Sequence, residues 1–549
     1  MFLAGTIGQL AWSQESRGII LGRVTDSSGL VVPGATVQVA NIGTSVIVTS
    51  TTNQDGNFFT PYLIPGQYQI VVSKDGFKKL VREGIQVDIA ARLEINLQME
   101  LGAVSDSVTV TSDAPLLSTT DASAGRAMDF RDVKELPIEH GDPDNIIGLA
   151  TNVSFTDQMT KDQPWQTLNT AYSSLGSRQS RLEFLLDGQS NTAHDVLRGS
   201  VIEGWTPTSD SVAEMKIETL TFDVTVGQTE GMVLNYSTKS GTNQPHGSFY
   251  WGKQFPSWNA NQYFSNLAGI PAAGFNYQRL GGVMTGPVYI PKVYNGKNKT
   301  FFTFAYEHIQ SNTDLSSILT VPTAAERNGD FSALLAIGPQ YQIYNPYSRV
   351  PAGNGIYQNS PLPGNIIPAS QISPISKNIL AYIPLPDSNI STVTADGGNN
   401  VNRTNWPSYI PYHTQLYRFD QVISDKTRVM FRADSNRHNV EDSDFMGHGD
   451  PATGSFFWTS TQGYDLDVVH TFTPTLVMDI RVSDQAFVRA QHAETGQGTF
   501  QLTSLGFPSY IQNNISPTNW EFPNISFNGE YTMAGPRTPL FKQTQTRDL

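Results

Sequence analysis

The sequence predicts a mainly β chain: an N-terminal immunoglobulin-like β-sandwich, an α+β unit, and the first part of a transmembrane antiparallel β-barrel. Three observations predict it. Only 15% of the 549 residues are charged and 10% are aromatic, while 46 Gly and 32 Pro signal many turns. A helical protein would need more Ala, Leu, Glu and Lys at helical period. From about residue 250 onward, segments alternating with period two are joined by connections that are by turns very short and very long. A barrel with tight turns at one rim and long loops at the other has this asymmetry. Finally, no run of 18 apolar residues exists. Membrane crossing must then be by barrel, since helices and closed barrels satisfy every backbone group in lipid.

Charge and composition exclude several functions. A net charge of −14 argues against nucleic acid, because phosphate binding needs clustered Lys and Arg. Cysteine is absent, which removes disulfides, thiolate zinc sites and thiol catalysis together. Residues 1–13 read as the tail of a signal peptide, with Ala11 and Ser13 at the small-residue positions and cleavage before Gln14. No basic stretch precedes them, so the true start is expected upstream.

Residues 17–100 form the first module. Strands are expected at 19–24, 36–40, 45–51, 66–73, 84–88 and 93–99, separated by Asp-Ser-Ser-Gly, Pro-Gly, Asn-Gln-Asp-Gly and Asp-Gly turns. Asp26, Asp55 and Asp75 are turn-formers rather than calcium ligands, because Asp bonds its own backbone in such turns. The stretches GRVTDSSGLVVPGATVQV and TTNQDGNFFTPYLIPGQYQIVVSKDGFKK resemble a carboxypeptidase regulatory-like domain. The resemblance implies a transthyretin-like sandwich without peptidase activity. Zinc peptidase chemistry needs His and Glu ligands, and this module has no histidine.

Residues 101–121 read as a polar linker with one strand-like run, Ser107, Val108, Thr109, Val110 and Thr111. An exposed short strand suits β-augmentation, in which a partner's sheet edge takes it up through main-chain bonds. SDSVTVTSDAP is similar to the TonB box of TonB-dependent receptors. That likeness implies TonB and its inner-membrane energising complex as partners, contacting Ser107–Thr111.

Residues 122–240 mix helix and strand. Short helices are expected at 129–135, ended by Pro137, and at 145–150. A buried strand at 182–186 runs into the turn Asp187-Gly188, and 207–218 offers a cap, a turn and a strand. FLLDGQSN, SVAEMKIET and GQTEGMVLNYSTKSGTNQPHGSFYWGK resemble the plug and first strand of TonB-dependent receptors. One departure is Gly227-Gln228-Thr229-Glu230-Gly231-Met232, where relatives carry a run of small glycines. Glu183, Asp187 and His194 include an acid, a base and a ligand by type, but nothing fixes their geometry and Asp-Gly is a common turn pair. No catalytic, cofactor or metal residue is assigned. Thr238-Lys239-Ser240-Gly241-Thr242 lacks the spacing of a phosphate loop.

Residues 241–549 are expected to form barrel strands near 247–255, 277–290, 300–310, 414–423, 427–436, 462–473 and 475–490. In the third, Phe302, Phe304 and Tyr306 point one way and Thr303, Ala305 and Glu307 the other. Lipid on one side and a wet, filled lumen on the other demand this. Leu476, Met478, Ile480 and Val482 alternate likewise with Val477, Asp479, Arg481 and Ser483. Arg418, Asp420, Arg428, Arg432 and Asp434 should face the lumen, since charges in lipid are expensive. The connection at 311–411 is expected to be one long loop holding a short helix at 373–383. Trp251, Trp258, Trp406 and Trp458 are read as interfacial anchors.

FNYQRLGGVMTGPVYIPKVYNGKNKTFFTFAYEH and YRFDQVISDKTRVMFRAD resemble the large Oar-like TonB-dependent receptors. The resemblance implies a non-enzymatic outer-membrane transporter, inserted in outer-membrane lipid, that binds an extracellular small molecule or glycan and imports it with energy from TonB. The alternative is a surface adhesin or envelope-organising barrel without transport. Plugged barrels of this type close at about 22 strands. The sequence offers about seven or eight and lacks a terminal aromatic strand, so it is expected to be a C-terminally truncated fragment.

Overall fold

The computed structural model describes residues 16–103, 107–111, 125–129, 143–155, 172–177, 181–194, 201–219, 229, 231–258, 260–261, 263, 266, 275–388, 393–442, 455–473, 476–493, 498–523 and 540–548. The expected signal segment 1–13 and most of the 129–135 helix lie outside them. Asp129 itself ends a strand, Gly125–Asp129.

Alternating apolar residues build the N-terminal sandwich. One sheet runs Asn57–Leu63, Gly18–Asp26, Arg92–Glu94, with Leu97–Met99 also paired to Gly18–Asp26. The other runs Ile47–Thr51, Thr36–Asn41, Gly66–Ser73, Lys79–Val87, Ser107–Thr111. Between them Ile20, Val24, Val37, Val39, Ile70, Val72 and Ile85 are fully buried. Gly22 is required where the chain between two partner strands crosses close to its own strand, because a Cβ there would stand 1.9 Å from the Ile95 carbonyl oxygen. The turn reading of Asp26 holds: its Oδ1 accepts from the Ser28 and Leu30 amides at 2.8 and 2.9 Å.

Three expectations are corrected in this module. The strand Asn57–Leu63 was not anticipated, since Pro61 interrupts its pattern. The strand expected at 84–88 begins at Lys79. The run 93–99 is two strands, Arg92–Glu94 and Leu97–Met99, both paired with Gly18–Asp26, with the Ile95 amide still bonded to the Leu21 carbonyl of that strand.

The middle unit is a five-stranded sheet in the order Gly125–Asp129, Val212–Glu218, Met232–Thr238, Leu182–Leu186, Gln189–Ser190. Leu182–Leu186 is buried on both faces, Glu183 included. The expected helix at 145–150 is a 3-10 helix, Pro143–Leu149. Phe184, Trp205, Met215, Ile217 and Tyr236 form the core, which extends onto Val283, Ala305 and Leu416 of the third module.

That module is an eight-stranded antiparallel meander: His246–Gln254, Phe275–Pro287, Thr300–Leu319, Val401–Ser424, Thr427–Asp442, Ser455–Thr473, Leu476–Ala493 and Leu540–Asp548. Every strand pairs with its sequence neighbour. At one end the connections are 288–299, the two residues between Ser424 and Thr427, and the two between Thr473 and Leu476. At the other they are 255–274, 320–400, 443–454 and 494–539. The expected alternation of short and long connections is therefore present.

Several boundaries differ from expectation; the fifth strand runs on to Asp442 and the sixth starts at Ser455. The third and fourth strands reach Leu319 and Val401, so the long loop is 320–400 rather than 311–411; its polar Ser, Asn and Thr pair as strand beyond the apolar section. The final segment, expected to lack the terminal aromatic strand of such barrels, does form a strand, Leu540–Asp548, paired with Leu476–Ala493. The loop folds on its own small core of Leu319, Val321, Ile383 and Val401. Its helix Pro374–Leu380 is capped by Ser373, whose side chain accepts from the Ile375 amide.

Candidate functional site

The face of the meander that meets the middle unit is charged. Arg418 and Arg432 project from adjacent strands and are 5% and 2% exposed. Between them lies Asp187, at the tip of the middle unit's buried strand. Arg432 Nη1 is 2.7 Å from Asp187 Oδ2 and Arg418 Nη1 is 3.1 Å from Oδ1. Asp187 Oδ1 also accepts from the Thr238 amide at 2.9 Å, and Oδ2 from the Thr238 hydroxyl at 2.8 Å. Its φ of 53° and the 84° of Gly188 confirm the turn, and the turn aims the carboxylate at the arginines. Burial pushes the Asp187 carboxyl up, but Arg418 and Arg432 outweigh it and hold it below the ordinary carboxylate range.

The network continues on both sides. Arg418 also pairs with Asp420 at 2.9 Å, and Arg432 with Asp434 at 3.3 Å. Arg481 reaches the Asp187 carbonyl at 3.3 Å and Asp467 at 3.2 Å. Asp467 and Asp479 in turn hold Arg17 of the sandwich, at 2.9 and 2.6 Å. Ion pairs, joined by the Arg481 bond to the Asp187 carbonyl, thus run from sandwich to meander to middle unit. The sandwich is further tied by the Ile89 amide to Glu214 Oε2 at 2.5 Å, and by Asn243 Nδ2 to the Thr44 carbonyl at 2.9 Å. A cavity of about 90 Å³ opens between the sandwich and the tight-turn end, lined in part by Arg17, Tyr62, Tyr68, Asp187, Arg418 and Asp467.

A second polar contact lies higher on the same face. Arg279 and the Tyr250 hydroxyl both bond Glu307. Ser209 of the middle unit accepts from Arg279 at 3.2 Å, and its neighbour Asp210 bonds Ser248. Trp205 is fully buried, and its indole N–H donates to the Ser435 carbonyl at 3.2 Å. Among the described residues, no group of His, Asp and Glu is arranged to hold a metal ion.

Ser107–Thr111 is not a free linker strand. It lies parallel to Lys79–Glu83 as the last strand of the sandwich's second sheet, with Val108 opposite Leu80 and Thr109 opposite Val81. Val108 is half-buried beside the core, whereas Ser107, Thr109 and Val110 are exposed. Its other edge pairs with no described strand. Glu183 accepts from the Ser190 hydroxyl at 2.8 Å, far in role from Asp187, and the side chain of His194 lies outside the described residues. The lumen-facing arginines were legible from the cost of charge in lipid; their shared partner Asp187 was not.

Residues 237–549 match the outer membrane beta barrel domain family. The chain belongs to the outer-membrane β-barrel family. This outer-membrane barrel protein also matches the carboxypeptidase regulatory-like domain family over residues 19–100. The TonB-dependent transporter Oar of Myxococcus xanthus is 26% identical over 245 residues, covering 44% of this chain and 22% of that protein. Among solved structures, the outer membrane transporter YddB of Escherichia coli aligns over 68% of this chain and 40% of its own, with a TM-score of 0.42 and 9% identity. A ferric enterobactin receptor of Pseudomonas aeruginosa aligns over 67% of this chain and 46% of its own, with a TM-score of 0.30 and 11% identity. The chain spans less than half the length of each of these proteins. The family places the barrel in the outer membrane, so its tight turns mark the periplasmic rim and its long loops the extracellular one.

Proposed function

We propose that the protein works as a TonB-dependent outer-membrane receptor. Residues 122–240 act as a plug, and an extracellular small molecule or glycan bound at the long loops is admitted to the periplasm when TonB moves that plug. One observation carries this reading: a unit with its own five-stranded sheet sits against the inner face of the barrel, fastened by the Asp187–Arg418–Arg432 ion pairs beside a small apolar contact. Ionic and hydrogen-bonded fastenings can be exchanged for water when a force acts, with less loss than an apolar core exposed outright. The Ser107–Thr111 strand supports the reading from the periplasmic side, since its outer edge, which no described strand pairs with, offers main-chain groups to a partner's sheet.

The test is a Val108→Pro, Val110→Pro double variant, which removes two backbone donors from the strand. Loss of TonB binding together with loss of uptake is expected. Uptake at the parental rate would sink the proposal. Uptake absent in the parent, with envelope defects on deletion, would favour the non-transporting barrel instead.

A further inference from the structure

The outward, lipid-facing side of the barrel carries three aligned basic side chains. His308 lies directly opposite His413, and His413 directly opposite Arg437, on three adjacent strands. The two imidazoles stack with centroids 4.3 Å apart. His308 Nδ1 donates to the Tyr412 carbonyl at 3.1 Å, which fixes its tautomer and leaves Nε2 facing away. The His413 Nδ1 is paired with the Tyr306 hydroxyl at 3.0 Å. Arg437 is exposed. The outward residues flanking this row are Gln310, Gln415, Ser435 and Ser460, so no carboxylate among them balances it.

Height on the barrel gives the row its meaning. His413 is eleven residues from Ser424 and Arg437 ten from Thr427, both counted from the periplasmic turn. At about 3.4 Å per residue and a tilt of about 40°, that raises them about 25 Å, the thickness of a barrel's apolar band. Below the row and its polar neighbours Gln415 and Ser435, the outward face turns apolar and aromatic: Tyr306, Tyr417, Phe419 and Phe431 are each exposed by 36–44%. The row thus stands at the outer interface, where an aromatic girdle ends and lipid headgroups begin.

We propose that His308, His413 and Arg437 form a binding site for a phosphate group of an outer-leaflet lipid. Stacked imidazoles beside an unbalanced guanidinium repel one another as they charge, and an anion set between them removes that cost. Arg presents several donors to phosphate oxygens, and each His Nε2 adds one when protonated. Acyl chains of the same lipid would lie along Tyr306, Tyr417 and Phe431 below, so headgroup and tails are recognised by one continuous stripe.

The experiment extracts the protein from native outer membranes and counts retained phosphorylated lipid by native mass spectrometry. Arg437→Gln should lower retention about fivefold, the effect of one basic residue near a charged surface. His413→Gln with Arg437→Gln should lower it further, while Arg437→Lys should preserve it. Gln462→Ala, outward on the next strand one outward position below the row, is the control and should change nothing. Heat-modifiable mobility on gels verifies that each barrel is folded. Parental retention by the folded double variant would overturn the proposal. So would equal retention of enzymatically dephosphorylated lipid in nanodiscs, since it would mean that the tails alone are held.

Discussion

Asp187 stands between Arg432 at 2.7 Å and Arg418 at 3.1 Å, one carboxylate oxygen to each guanidinium. The middle unit contributes the acid and two neighbouring barrel strands contribute the bases. Removing the acid leaves two buried cations facing each other. Asp187→Asn should therefore weaken the seating of the middle unit by about 3–5 kcal/mol, the cost of breaking a buried pair. Faster limited proteolysis of the middle unit, with barrel mobility on gels unchanged, would be the observed result. Unchanged proteolysis would mean that the apolar contacts alone hold it.

The same pair predicts a pH dependence. The folded carboxyl of Asp187 lies below its unfolded value because Arg418 and Arg432 outweigh burial. Its stabilisation is thus fully present above the unfolded value of about 3.9 and is lost as pH falls through the folded one. Protection of the middle unit from proteolysis by an acid-active protease should decline below about pH 4 in the parent. Asp187→Asn should show a weaker decline over that window, starting from lower protection.

Gly241 joins the middle unit to the first barrel strand. A Cβ there would stand 2.7 Å from the Gly286 carbonyl oxygen and 2.8 Å from that of Phe302. Both obstacles are backbone of the sheet and cannot swing away. Gly241→Val should block assembly of the middle unit against the barrel, read as loss of the folded, heat-modifiable form in outer membranes.

The parallel pairing of Ser107–Thr111 with Lys79–Glu83 raises a question of order: a partner either adds to the open edge or strips the strand away. Val81 and Thr109 are directly opposite, and neighbouring strands lie about 4.8 Å apart, within disulfide reach. The chain has no other cysteine. A Val81→Cys, Thr109→Cys pair should crosslink under oxidation and abolish uptake, with recovery on reduction. Full uptake in the crosslinked protein would show that the partner adds to the outer edge without displacing the strand.

Much of the fold was legible because period-two alternation leaves a trace wherever a sheet separates two environments. Thr303, Ala305 and Glu307 were assigned inward and are inward; Arg418, Arg432 and Asp434 followed from the cost of charge in lipid. The strand Asn57–Leu63 was missed because Pro61 sits within it, and an edge position tolerates proline. The extension of Thr300–Leu319 beyond the apolar section was missed because the polar run Gln310-Ser311-Asn312-Thr313-Asp314 carries no apolar alternation to read.

The sequence by itself determined the order of the modules, the alternation of short and long connections, and which face of each strand meets lipid. These follow from local periodicity and turn chemistry, which act over a few residues. Only the tertiary structure decided that Asp187 meets Arg418 and Arg432 more than 230 positions away, that Arg17 joins the same network, and that Ser107–Thr111 is already paired. His308, His413 and Arg437 likewise form a row only through strand register. Register is set by pairing across long loops, and no local pattern records which residue will stand opposite which.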